Sequence, residues 1–326
     1  MKAALYDSHG AAREVLRVED VARPEPGPGE VRVKVEFSGI NPTDWKSRSG
    51  ATPRPIDGFQ IPHHDGAGVI DAVGEGVDPA RIGQRVWLWM AAAGRPWGTA
   101  AEWAVVPERM AVPLPQGVRA ELGASLGVPA VTAHRCLFAD GPIAGKTVLV
   151  AGGAGAVGHF AIELAKHAGA RVITTVSGPQ KAELAAKAGA DLVVNYREPD
   201  AADRIGSFAG AGGVDHVVEV ALGANLQLDL AVVARPDARI VCYAAEATDP
   251  AMPVRACMNA NVMLRFVLLY GVPHEALEQA AKDITAALAD GALTELPTTR
   301  FRLDEIAAAH DAVEAGAVGK VLVIPG

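Results

Sequence analysis

The stretch Gly152-Gly153-Ala154-Gly155-Ala156-Val157-Gly158 decides the fold, because an apolar strand candidate, Thr147 to Ala151, runs into it and a helix candidate, Ala156 to Ala168, runs out of it. Glycine lets a backbone turn sharply and approach a diphosphate closely, and the N–H groups of a helix start supply donors and positive partial charge. Gly153, Gly155 and Gly158 have the G-x-G-x-x-G spacing of a dinucleotide-binding turn. Tight turns without a ligand use the same residues, so context carries the reading. Val157, Ala161, Leu164 and Ala168 share one helix face and a second strand, Arg171 to Val176, follows, completing a βαβ unit.

Further strand candidates, Asp191 to Asn195, Val214 to Val220, Arg239 to Ala244 and Leu264 to Leu269, alternate with helical stretches. Six strands with crossover helices predict an α/β fold built on a doubly wound parallel sheet. The first third reads differently. Val31, Val33, Val35 and Phe37 alternate with polar residues, and β-rich stretches recur at Gly66 to Val73, Gln84 to Met90 and Thr99 to Val106, punctuated by turns such as Pro24-Glu25-Pro26-Gly27-Pro28-Gly29. That pattern predicts an antiparallel, barrel-like domain. Helical stretches at Glu275 to Leu288 and Asp304 to Glu314 and the apolar end Lys320 to Ile324 find no place in a complete six-stranded sheet. They are expected to return to the first domain, giving domains of 1–122 with 272–326 and of 123–271, with the cleft between them as the ligand site.

A formal net charge of −8 over 326 residues argues against binding a phosphate backbone, so nucleic acid is not an expected partner. The most apolar stretch, Val262 to Val272, is short and contains Arg265, and the first ten residues lack a signal-length apolar core. A cytoplasmic protein without a membrane span is expected. Cys136, Cys242 and Cys257 are scattered and odd in number, which predicts core thiols and neither disulfides nor a metal knot.

Gly39-Ile40-Asn41-Pro42-Thr43-Asp44, His64-Asp65-Gly66-Ala67-Gly68, Gly83-Gln84-Arg85-Val86, the glycine run and Gly319-Lys320-Val321-Leu322 follow one another in order over essentially the whole chain. This ordered set resembles the medium-chain dehydrogenase/reductases, in particular their zinc-free quinone oxidoreductase branch, which includes zeta-crystallin and the enone and alkenal reductases. The resemblance implies a GroES-like β-rich catalytic domain, a Rossmann domain, a homodimer, and NADPH-dependent reduction of quinones or α,β-unsaturated carbonyls. Zinc-dependent relatives use a catalytic Cys and a His-Glu pair. Here Asn41 stands where the Cys would be, Asp65 follows His64, and no cysteine precedes Cys136. No metal is expected, since zinc needs three or four converging ligands.

NAD-specific sites usually close the second Rossmann strand with an acid for the ribose hydroxyls. Thr174-Thr175-Val176-Ser177-Gly178 has none, and Lys181 and Tyr196-Arg197 offer donors for a 2′-phosphate. The resemblance places Ser177, Lys181 and Tyr196 at the 2′-phosphate contacts, so NADPH is the expected cofactor. It places Thr132 near the nicotinamide or diphosphate. Tyr243, Ala244, Leu268 and Leu269 fall where strand ends should face the cofactor.

Hydride transfer from nicotinamide needs alignment and a donor for the developing oxyanion, with no catalytic triad. Asn41 and Lys46 are the candidate catalytic residues. The resemblance puts Asn41 near the nicotinamide ribose and substrate, and Lys46 at a position that is Tyr in some quinone reductases and Lys in enone reductases; a surface lysine beside Trp45 satisfies the same sequence. Trp87, Trp89 and Trp97 suit either a pocket lining or core. The alternatives are an enoyl-thioester reductase of the same superfamily and a non-enzymatic NADPH-binding stress or structural protein.

Overall fold

The computed structural model describes residues 1–234, 236–245 and 249–326. The chain divides into two compact units, Met1–Pro129 with Glu295–Gly326, and Ala130–Thr294.

In the first unit β1 (Lys2–Leu5), α1 (Ala12–Val15) and β2 (Arg17–Asp20) come first, with β1 and β2 paired antiparallel. β3 (Glu30–Ile40), α2 (Pro42–Ser49), β4 (Asp65–Val73), β5 (Arg85–Leu88), β6 (Trp103–Pro107) and β7 (Ala111–Pro113) follow. β3 pairs with β4, β6 and the distant β15 (Lys320–Ile324). Irregularities in its pairing with β4 at Arg32/Val33 and Val35/Phe37 bend the strand, which lets one long strand serve three neighbours. α3 (Ala120–Phe138) contains Pro129, and the division between the units falls at that residue.

The second unit holds β8 (Thr147–Ala151), α4 (Ala156–His167), β9 (Arg171–Val176), α5 (Pro179–Lys187), β10 (Leu192–Asn195), α6 (Ala201–Ala209), β11 (His216–Glu219), α7 (Leu222–Val232), β12 (Arg239–Cys242), α8 (Val254–Ala260), β13 (Met263–Phe266) and α9 (His274–Ala289). Its six strands are parallel, in the order β10-β9-β8-β11-β12-β13. β8 is buried along its whole length, as expected of a central strand with both faces covered. Leu149, Ile173, Val194, Val217 and Ile240 from the sheet pack with Ile205 and Leu226 from the helices. β14 (Thr298–Arg302), α10 (Ile306–Glu314) and β15 (Lys320–Ile324) return to the first unit, where β14 and β15 join β3 to β5 and β7 in a seven-stranded sheet with β6.

The sheet, its helices and the return of the tail agree with the sequence reading, but the return starts later. The units part at Pro129/Ala130 and Thr294/Glu295, against expected boundaries of 122/123 and 271/272. α9 buries Leu277, Ala281, Ile284 and Leu288, and its Asp283 Oδ2 lies 2.9 Å from His134 Nε2 on α3. The Thr294 hydroxyl donates to Glu163 and its carbonyl lies 3.1 Å from His159 Nε2, both on α4. α9 thus stays with the second unit through its contact with α3. The sixth strand also stops at Phe266, and Leu269–Gly271 form a 3₁₀ turn.

Candidate functional site

The glycine run sits as the spacing predicts, between β8 and α4. Three of its glycines are explained by the protein itself. Gly152 has φ +70°, a Cβ on Gly153 would lie 2.0 Å from Thr174 Oγ1, and one on Gly158 would lie 2.3 Å from Gly152 O. Gly155 is different. It is exposed, it adopts φ −78° as the N-cap of α4, and a Cβ there would meet Gly152 O at an ordinary 3.4 Å. A Ser, Thr, Asp or Asn there would cap the helix, but Gly155 supplies no side-chain cap. The bare residue leaves the helix start open to an anion, which is the fit a diphosphate requires. Ala154 is buried in the turn, while Ala156 and Val157 open α4 half-buried.

At the end of β9, Ser177 is half-buried and Lys181 exposed on α5. Tyr196 follows β10, whose Asn195 is registered with Val176, and Tyr196 N donates to Val176 O at 3.1 Å. Ser177 and Tyr196 therefore follow neighbouring strand ends. The Arg197 guanidinium lies 5.8 Å from the Tyr196 ring centroid, which adds a cation beside that phenol. Tyr243 and Ala244 come just past β12, with Tyr243 N donating to Glu219 O at 3.1 Å. Leu268 is 70 % exposed and Leu269 is buried in the 3₁₀ turn, so neither ends a strand. Thr132 is buried in α3.

In the first unit Asn41 is the N-cap of α2, and its side chain is almost wholly buried. Its Oδ1 accepts from Lys320 Nζ at 2.7 Å and its Nδ2 donates to Asp65 Oδ2 at 2.7 Å. Asp65 Oδ2 also takes Lys320 Nζ at 3.2 Å, and Asp65 Oδ1 accepts from Val128 N at 2.7 Å. Burial pushes the Asp65 carboxyl up while Lys320 and these donors hold it down. Asn41 Nδ2, Val128 N and Lys320 Nζ all donate to Asp65, so the ionised form fits these partners. Among the described residues no group of three or more His, Cys, Asp or Glu could hold a metal ion. Lys46 is half-buried with its ammonium 5.9 Å from the Trp45 ring centroid.

A second buried chain runs through His63, which has φ +78°. Thr99 Oγ1 donates to Asp65 O at 2.5 Å, so it must accept from Ser38 Oγ at 2.7 Å, and Ser38 must then accept from His63 Nδ1 at 2.7 Å. His63 Nε2 is left as the acceptor for His310 Nε2 at 3.0 Å. His63 is thereby neutral with its proton on Nδ1, and His310 carries a proton on Nε2. Burial holds His63 well below the usual histidine range and His310 at about 3. The chain secures a left-handed backbone that a non-glycine residue rarely adopts, so that His64 faces one side and Asp65 the other.

His64 lines a small cavity with Tyr6, Asp44, Ser47, Arg54 and Gln60. Asp44 Oδ2 accepts from Asn41 N at 2.7 Å. Burial, and then the neighbouring Asp65 charge, push the Asp44 carboxyl up to about 7. Burial lowers His64 to about 3, and burial with Asp44 raises the Tyr6 phenol to about 12. Lys46 is not among the lining residues. Trp87 and Trp89 are fully buried core, whereas Trp97 packs edge-on against Phe59 with centroids 5.1 Å apart.

The profile of the alcohol dehydrogenase GroES-like domain matches residues 27–116, and that of the zinc-binding dehydrogenases matches 156–286. The human quinone oxidoreductase is 30 % identical over 315 residues, covering 95 % of this chain and 94 % of that protein. The chain belongs to the medium-chain dehydrogenase/reductase family. Among solved structures of this family, a mycobacterial protein complexed with NADPH superimposes with a TM-score of 0.84 at 30 % identity, and an NAD-dependent alcohol dehydrogenase with 0.89 at 27 %; each comparison covers 100 % of both chains.

Lys320, Asp65, His63 and His310 were not singled out as working residues by the sequence. Lys320 and Asp65 were legible only as parts of family motifs, and nothing local marks a buried ion pair whose members lie 255 residues apart. His310 is an isolated histidine on α10 and carries no signal of its own.

Proposed function

We propose that this medium-chain dehydrogenase/reductase is an NADPH-dependent reductase that delivers hydride directly to a quinone or to the β-carbon of an α,β-unsaturated carbonyl, without a metal. The observation that carries the reading is the Asn41–Asp65–Lys320 knot. Where zinc-dependent relatives place a cysteine ligand there is a carboxamide, and the neighbouring carboxylate is already neutralised by an ammonium. A cation fixed in this way leaves alignment and hydrogen-bond donors as the means of catalysis.

NADPH, when bound, supplies the hydride. Gly152 to Gly158 hold the diphosphate through backbone N–H groups and the start of α4, for which the bare Gly155 is the supporting feature. Ser177, Lys181 and Tyr196 take the 2′-phosphate; the absence of an acid from Val176 to Gly178 and the cation of Arg197 beside Tyr196 favour it over a free ribose. Thr132, Tyr243, Ala244, Leu268 and Leu269 serve the nicotinamide half. Asn41 orders the site through its bonds to Asp65 and Lys320, and Lys46 is the candidate donor to the substrate oxygen. The enzyme acts as a cytoplasmic homodimer: Val254, Met258, Met263, Phe266 and Leu268 expose apolar side chains on and around the edge strand β13.

The test is NADPH oxidation by the purified protein against quinones, alkenals, cyclic enones and enoyl thioesters, with NADH in parallel. Turnover of the first three classes with NADPH preferred is the expected result. Equal use of NADH or turnover of thioesters alone would overturn it.

A further inference from the structure

β11 ends at Glu219 and α7 begins at Leu222; Glu219 and Asp229, which lies two turns into that helix, are both buried. One oxygen of Glu219 is occupied, since Oε1 accepts from Ala221 N and from Asn225 Nδ2, the latter at 2.9 Å. This serves the start of α7, which has no side-chain cap of its own. The other oxygen, Oε2, is buried without a donor among the described residues, and so is Asp229 Oδ2. Yet the two carboxyl groups lie within hydrogen-bonding reach of each other, and among the described residues no cation acts on either.

Two carboxylates can only accept, and at this distance they repel; one proton between them turns the contact into an acid–carboxylate hydrogen bond. Which residue holds the proton follows from the other partners. Burial raises the Glu219 carboxyl, but Ala221 N and Asn225 hold it down; burial and then the Glu219 charge raise Asp229, and no donor opposes them. The turn that Glu219 secures abuts the glycine run, where a Cβ on Gly152 would lie 3.3 Å from Val220 Cγ1. Tyr243 N, just past β12, donates to Glu219 O at 3.1 Å, so the same residue also ties in the next strand end. We propose that Asp229 is a neutral acid donating to Glu219, and that the pair are positioning residues for the dinucleotide, their shared proton fixing Val220 and Ala221 against the glycine run. This rests on the reading above that places the diphosphate at that run. Without the proton, repulsion between the carboxylates drives α7 from the end of β11 and carries the turn with it.

Two measurements test the proposal. The first needs no ligand: the infrared spectrum at about pH 8, above the value of about 7 for Asp44, should contain a protonated-carboxyl band that Asp229→Asn removes. The second is NADPH affinity by fluorescence titration. Asp229→Asn still donates to Glu219 and should bind within about twofold of the wild type, whereas Asp229→Leu, similar in size but without a donor, should bind at least about fivefold more weakly. Circular dichroism and melting establish that each variant is folded, and Asp229→Ala replaces Asp229→Leu if the larger side chain prevents folding. Equal affinity in the Asn variant and the donor-free variant overturns the positioning role. A wild type that binds NADPH without the band sinks the proposal and spares the dinucleotide reading. A wild type that shows the band but binds no NADPH overturns that reading, and the positioning role with it, while leaving the shared proton in place.

Discussion

The ammonium of Lys320 on β15 lies 2.7 Å from the carboxamide oxygen of Asn41 at the start of α2, two residues separated by 279 positions in the chain. Both also touch Asp65, so a single cation holds together the ends of three elements of the first unit. Lys320→Met would leave the Asp65 charge buried without a counter-charge and should cost about 3–5 kcal/mol in urea unfolding. Adding Asp65→Asn should recover much of that loss. A loss below about 1 kcal/mol would mean that the pair is not ionised.

Gly155 and Gly158 should respond in opposite ways to the same methyl group. Gly155→Ala meets only ordinary contact, so stability should stay within about 0.5 kcal/mol while NADPH affinity falls, the methyl group standing over the open helix start. Gly158→Ala drives its Cβ against Gly152 O and should lower the melting temperature. Unchanged NADPH binding in Gly155→Ala, measured by fluorescence titration, would remove the diphosphate from this turn.

The neutral imidazoles of His63 and His310 impose a sign on acid stability. Their folded pKa values are depressed, so unfolded chains take up protons below about pH 6.5 that the folded protein refuses. Their contribution is complete above that pH and is lost as the pH falls towards 3. Each imidazole contributes a slope of about 1.4 kcal/mol per pH unit, and His310→Gln should reduce the slope between pH 4 and 6 by about that amount. Urea unfolding across this range is the measurement. Nitrogen-15 spectra should show His63 carrying its proton on Nδ1 and His310 on Nε2.

Asp44 has the opposite sign. Its carboxyl is raised to about 7, so the folded protein holds a proton there that the unfolded chain releases above about pH 4, and this contribution weakens as the pH rises through 7. The charges acting on it are Asp65 on β4, Lys320 on β15 and Arg54 after α2, and Asn41 N bonds it. Urea unfolding should show this loss of stability between about pH 6 and 8 in the wild type and not in Asp44→Asn.

The apolar edge of the second unit gives a prediction about assembly. Phe266 and Met258 are 68 % and 72 % exposed, and β13 has its outer side unpaired in the six-stranded sheet. Phe266→Asp should shift the protein from dimer to monomer in light scattering, whereas an exposed residue on α5 such as Lys187→Glu should not. A monomeric wild type would remove the homodimer.

Much of the second unit was open to sequence reading because its signals are local. A buried parallel strand is an uninterrupted apolar run, and Gly152 to Gly158 mark the turn that follows the first of them. The unit to which α9 belongs was not legible, because helical periodicity gives a buried face but not the element that the face meets, here α3. In the first unit the strands were legible, yet the polar interior was not. Asp65 joins Lys320, and His63 joins His310, across stretches of sequence that periodicity does not connect. Asn41 was singled out from the sequence, but its partners, Asp65 and Lys320, emerge only from the fold.

The first unit is written in two pieces, and that has a consequence for synthesis. β3 cannot complete its pairing, nor His63 settle into its left-handed backbone, until β15 and α10 have been made. Residues Ala130–Thr294 are contiguous and can collapse while the chain is still growing. The second unit is thus free to mature first. The first must wait, partly assembled, for β14, α10 and β15 to leave the ribosome.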